Sequence, residues 1–267
     1  MTEPVSLFDH DAATDALEIA LDDTVRIASD LPVDAAIATC PGWDASDLWR
    51  HLGTVHRWAT EIVAQRSRER IRTRSIDLGL PADADWAAWL EAGGSELVRA
   101  LRSADGAEPL WAWSGDRDAT WWSRRQLHET VVHNADGTLA GGGDFSTDAS
   151  VAIDGIAELL ENTSARLRTG TAEKPAIDAT VHLHATDDPG AGWIVREVPA
   201  DAGEFMIELA DGELIYEHSH GKGDVAVRGP ASELMLVLNR RRSLDAADVE
   251  VFGDAEVLEI LAAIASM

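Results

Sequence analysis

The chain has 267 residues, 45% of them hydrophobic, and a formal charge of −26 from 48 acidic against 22 basic side chains. That apolar content supports a substantial core and excludes global disorder, while so few, dispersed Lys and Arg disfavour a nucleic-acid interface. No apolar run reaches the ~18 residues of a membrane span, the N-terminal stretch lacks a secretory pattern, and a cytoplasmic location is the expectation.

Residues 8–30 place Phe8, Ala12, Leu17, Ile19, Ala20 and Val25 at helical spacings and predict a first helix. Pro32, Pro41 and Gly42 punctuate the connection that follows, after which Asp44 or Ser46 can cap a second helix running to Arg70. Gly53 inside that helix costs stability relative to Ala and hints at close packing or a nearby ligand. A third helix is expected over Asp83 to Arg102, and a loop then leads to a fourth from about Thr120 to Asp136, with Gly137 breaking the chain. The segment "ASVAIDGIAELLENTSARL" reads as a fifth.

Beyond "RTGTAEKPA" the pattern turns β-like. "AIDATVHLHAT", "GWIVREV" and "GDVAVRG" read as strands, and "EFMIELADGELIYEHSH" as a hairpin turning at Asp211-Gly212. "ASELMLVLNRR" and "DAEVLEILAAIAS" read as helices, with "VEVFG" a strand between them. The expectation is a two-domain α+β protein: a helical bundle over residues 1–168 and a smaller α+β domain over 176–267, divided near 167–176.

Chemistry is sought among the histidines, because Cys40 is the only cysteine and excludes both an internal disulfide and a cysteine-rich metal site. On the second helix His51 and His56 flank the apolar side, and periodicity mildly prefers His51 as the inward one. On the fourth, His128 falls within the stripe of Leu127, Val131, Val132 and Ala135, so pattern alone buries His128. Glu129 and His133 share another face one turn apart. They can close on one ion, or form an ordinary surface pair. His182 with His184, and His218 with His220, alternate along strands, where they border an interface or bind something.

"CPGWDASDLWRHLGTVHRW" and "RRQLHETVVHNAD" together resemble the mycothiol-dependent maleylpyruvate isomerase family, and the likeness continues through "AIDGIAELL", "VHLHATD" and "VAVRGPASELMLVLNRR" over nearly the whole chain. The resemblance implies a DinB-like four-helix bundle holding a divalent metal, usually zinc, on His51, Glu129 and His133. His56 and His128 then become packing or supporting residues. It also implies mycothiol as cosubstrate, whose sulfur adds to an activated double bond, permits rotation and leaves again. Arg240 resembles the family arginine that closes its helix and is the expected anion contact, placed across an interdomain cleft, with Arg124 and Arg125 as alternatives. Leu238-Asn239 stands where relatives often have Trp-Gly, so the substrate end is open: an unsaturated carboxylate for an isomerase, another small electrophile for an S-transferase. A non-catalytic protein of the same fold that binds metal, thiol or a small ligand is the competing reading.

Overall fold

In the computed structural model residues 6–82, 85–187 and 201–265 are described, so the strand expected over "GWIVREV" lies outside the described residues. The chain divides into two compact units, one over Phe8–Phe145 and one from Ser146 onward that also takes in Ser6 and Leu7.

The first unit is built from α1 (His10–Asp30), α2 (Ala45–Ala64), α3 (Trp86–Arg102) and α4 (Ala119–Ala140). Helix α1 packs on α3 and α4, and α2 on the same two, which gives the expected four-helix bundle. All four starts carry an aspartate cap: the side chains of Asp9, Asp44, Asp85 and Asp118 each accept a backbone N–H of the first turn. Asp44 adds a reciprocal bond from its own N–H to Asp47, a capping box that fixes where α2 begins.

Helix α2 ends at Ala64 and not at Arg70. Arg66 adopts a left-handed conformation (φ 50°), and the N–H groups of Arg66 and Ser67 return to Val63 and Ile62. Past Ile62 and Val63 the sequence offers alternating arginines with little to bury, so nothing sustains another turn. The expected loop before α4 contains a two-stranded hairpin, β1 (Pro109–Ala112) with β2 (Gly115–Asp118). Its strands are too short to show a convincing alternation. Indoles anchor them: Trp122 donates Nε1–H to the Trp111 carbonyl at 2.9 Å, among the rings of Trp58, Trp113 and Trp121.

Gly137 does not break α4, which runs through it to Ala140. A Cβ there would lie 2.7 Å from the Trp49 ring and 2.8 Å from Ile27, so the missing side chain lets α4 approach α1 and α2. Gly53 does the same for α2 and α3, since its Cβ would sit 2.1 Å from the Trp89 ring.

The second unit contains α5 (Ala149–Thr169), α6 (Ala231–Leu238) and α7 (Ala255–Ala265) with a five-stranded sheet ordered β5-β4-β3-β6-β7. Its strands are β3 (Ala179–Ala185), β4 (Glu204–Ala210), β5 (Glu213–Glu217), β6 (Val225–Gly229) and β7 (Glu250–Gly253). Among the described strands, only β3 and β6 pair in parallel. Asp211 and Gly212 both take positive φ (54° and 74°), the geometry a two-residue hairpin turn requires. Val181, Leu183, Phe205, Ile207, Val225 and Val227 turn to the core, which leaves the alternate residues on the other face.

Helix α5 packs on β5, α6 and α7, so it belongs with the second unit, whereas the expected division near 167–176 grouped it with the first four helices. A helical pattern reveals that a helix has an apolar face, not which core that face joins.

Replacing Gly53 with Ala sets the gain in helix propensity, about 1 kcal/mol, against overpacking on Trp89. The expected net result is a loss of about 1–3 kcal/mol in urea unfolding. A stabilised variant would show that the α2–α3 contact tolerates a methyl group.

Candidate metal centre

Helix α4 is unusual in carrying polar side chains on its buried sides. Arg124, Arg125, Gln126, His128, Thr130, His133, Asn134 and Asp136 are all buried within it. Buried groups of this kind must find partners, because an unpaired one costs on the order of several kcal/mol.

Glu129 is the centre of these pairings. Arg125, one turn earlier, donates to Glu129 Oε2 at 2.7 Å. The other oxygen, Oε1, faces two imidazoles: His51 Nε2 from α2 at 3.0 Å and His133 Nε2 at 3.4 Å. The rings of His51 and His133 meet nearly edge-on, 4.9 Å between centroids, and Trp43 lies against the outer side of His51 at 5.2 Å. One ligand atom from each of His51, Glu129 and His133 falls within 4.8 Å of the others.

Asp136 holds the opposite nitrogen of His133. Its Oδ2 accepts from Nδ1–H at 2.8 Å and also lies 3.6 Å from the Cys40 thiol, which donates. A carboxylate behind a histidine holds a proton on Nδ1, so Nε2 is the nitrogen that would give up its proton to bind a metal, and it raises the basicity of that nitrogen. Burial disfavours charge on Glu129, yet hydrogen bonds from His133 and His51 and the charge of Arg125 hold its carboxyl well below the ordinary range. Burial likewise opposes charge on His133, and Asp136 with Glu129 overcomes it, raising the imidazole to about 9.

The donor set fits a divalent cation. Two imidazole nitrogens and one carboxylate oxygen converge from two helices, the shared oxygen is turned toward both rings, and one ring is held from behind.

His56, not His51, is the fully buried histidine of α2, contrary to the mild preference of periodicity. It meets Thr130 Oγ1 through Nε2 at 3.0 Å, and burial pushes its pKa down to about 3, so the ring is neutral. The side chain of His51 is 38% exposed, open enough to be approached from outside. His128 is buried, as its stripe predicts. Arg124 and Arg125 are buried as well, and Arg125 is committed to Glu129.

Arg240 belongs to the second unit. It is exposed, and it follows α6 in a left-handed conformation (φ 59°). The N–H groups of Arg240 and Arg241 return to Val237 and Leu236, a helix-ending motif that normally places glycine where Arg240 stands.

Asp136 was not singled out by sequence reasoning, although a carboxylate three residues after a helical histidine is a readable signal. Arg125, an alternative anion contact on sequence grounds, instead supports Glu129.

Comparison with known proteins identifies the chain. Residues 14–136 match the mycothiol maleylpyruvate isomerase N-terminal domain, and residues 150–259 match the C-terminal domain of the same family. No curated protein matches. Among solved structures, the mycothiol-dependent maleylpyruvate isomerase and a histidine-to-alanine mutant of it are similar over 91% of this chain and 93% of theirs, at 12% identity with TM-scores of 0.55 and 0.56. At that identity the likeness concerns the fold. No helix among the described residues is long and apolar enough to cross a membrane. With both of its domains matched in order along the chain, this protein belongs to the mycothiol-dependent maleylpyruvate isomerase family.

Proposed function

We propose that the protein is a divalent-metal- and mycothiol-dependent enzyme of the isomerase type, with His51, Glu129 and His133 as ligands and zinc as the ion. One observation carries the ligand assignment: Arg125 engages one oxygen of Glu129 while the other is turned toward two imidazole nitrogens. A bound divalent ion supplies Lewis acidity, which lowers the pKa of a thiol and makes it nucleophilic near neutral pH.

The chain's own residues supply the rest. Glu129, kept ionised, offsets part of the cation's charge, and Arg125 prevents that carboxylate from swinging away. Asp136 keeps the His133 proton on Nδ1. Trp43 packs against His51 and limits its rotation.

The substrate class is a small unsaturated carboxylate, with Arg240 holding the carboxylate through charge-assisted hydrogen bonds. Its exposed guanidinium and its conformational cost support the choice. A left-handed non-glycine residue costs about 1–2 kcal/mol. Thiol transfer to another small electrophile is the neighbouring activity that the Leu238-Asn239 departure keeps in view. Both side chains are buried, and Asn239 Nδ2–H is committed to the Met235 carbonyl at 2.9 Å.

Purified protein is expected to turn over maleylpyruvate or a related electrophile only with mycothiol and metal. His51→Ala, Glu129→Gln and His133→Ala should each lose the ion and the activity while keeping the wild-type circular dichroism spectrum. Folded variants with unchanged metal content would rule these ligands out. Thiol binding without turnover across an electrophile panel would make the protein a binding module.

Asp136→Asn keeps a hydrogen-bonding group but removes the charge behind His133. Metal affinity in chelator competition should fall by about 10–100-fold. Unchanged affinity would reduce Asp136 to a packing role.

Arg240→Gly relieves the left-handed strain and, after the added flexibility of glycine, should leave stability unchanged or raise it by up to about 1 kcal/mol. The KM for a carboxylate substrate should nevertheless rise. An unchanged KM removes Arg240 from substrate binding.

A further inference from the structure

The second unit gathers another donor set. Strand alternation puts His182 and His184 on the face of β3 opposite Val181 and Leu183. The antiparallel register sets Glu204, at the start of β4, directly across from His184. His220, in the connection between β5 and β6, returns to the same place.

Three imidazoles close on a single atom. Glu204 Oε2 lies 2.9 Å from His182 Nε2, 3.3 Å from His184 Nδ1 and 2.6 Å from His220 Nδ1. The His182 ring stands almost perpendicular to those of His184 and His220, at 89° and 88°. One ligand atom from each of the four side chains falls within 4.8 Å of the others. His218, two residues before His220, does not join them. Its Nδ1 meets the Ala202 carbonyl at 3.0 Å, and its ring packs on Phe205.

We propose that His182, His184, Glu204 and His220 form a second metal site, specific for a zinc-like divalent cation and separate from the centre on α2 and α4. Hydrogen bonding alone is a poor account of the cluster. A carboxylate oxygen has two lone pairs, yet three ring nitrogens crowd the same one. A central cation resolves this, because every nitrogen lone pair and the oxygen can then point at one positive charge. Tetrahedral zinc with bonds of about 2.0–2.1 Å places its ligand atoms roughly 3.3 Å apart, so the nitrogens, at 2.6–3.3 Å from Glu204 Oε2, need only small shifts away from that oxygen to admit the ion. Three imidazoles and a carboxylate also match the preference of zinc, whereas calcium or magnesium would call for more oxygens.

With four protein ligands the site is closed, so its role is structural. The ion would tie the β5–β6 connection, through His220, to the face of β3 and β4. The site shares no residue with His51, Glu129 and His133, so neither reading depends on the other.

Full-length protein stripped by a chelator, dialysed against Zn²⁺ and analysed for metal should hold two ions per chain. The double variant His184→Ala/His220→Ala should hold one. His51→Ala should also hold one by losing the other ion, which separates failure of either reading from failure of both. The side chains of His184 and His220 are 35% and 76% exposed, so their removal leaves the core intact. A second measurement needs no variant: acylation of His220 by diethyl pyrocarbonate, mapped by mass spectrometry, should be blocked by Zn²⁺. A double variant that binds as much zinc as the wild type overturns the proposal, as does acylation of His220 unaffected by saturating zinc.

Discussion

The polar centre between α2 and α4 depends on keeping one carboxylate charged where water is scarce. Glu129 is ionised in a setting that penalises ionisation, so the fold must supply positive or proton-donating partners on every side of it. Arg125 and His133 come from its own helix, at one turn before and one turn after, and His51 comes from α2. Arg125 and His133 are the partners shielded from water, so they carry most of this compensation, while His51 completes it from the open side. The site is therefore a folding constraint as well as a chemical one. It fixes the rotation of α4 about its axis and its offset along α2.

The same constraint extends outward from His133. Asp136 is fully buried and accepts one hydrogen bond from His133 and one from the Cys40 thiol, so the loop before α2 is joined to the polar side of α4. Cys40 acts there as a donor to a carboxylate rather than as a nucleophile with an adjacent base. Such a chain of contacts needs α4 close to α1 and α2, and the absence of a side chain at Gly137 permits that approach. Helix propensity is sacrificed at Gly137 and at Gly53 for spacing, and the spacing brings the polar groups within hydrogen-bonding reach.

The sequence made some parts of this architecture legible and hid others for identifiable reasons. The cap of α2, where Asp44 is one of two candidates, the Asp211-Gly212 turn and the strand alternation are local chemistry, and they read directly. The side of a helix that faces inward is not local when the helix has partners on two sides. Helix α2 packs on both α3 and α4, so its buried arc is wide enough to take in His56 fully and His51 only partly, although both border the same apolar side. Helix α4 is harder still. It buries Leu127, Val131 and Ala135, but equally Arg125, His133 and Asp136, so its short apolar stripe marks only part of what it buries. Only the likeness of "RRQLHETVVHNAD" to a known family pointed to Glu129 and His133 over His128. The fifth helix shows a related limit, since its apolar face carried no address.

Hydrophobic periodicity reports where a helix meets ordinary core, so it becomes least informative where polar groups have displaced that core. A strand behaves differently. Its alternation is a steric property of the backbone that persists whatever the side chains are, so His182 and His184 were placed on a common face by counting alone. What counting could not supply was Glu204 or His220, because the register with β4 and the path of the β5–β6 connection are set by long-range pairing. Helical sites lose their signature through the chemistry that defines them, whereas strand sites keep half of theirs and require the sheet to provide the rest.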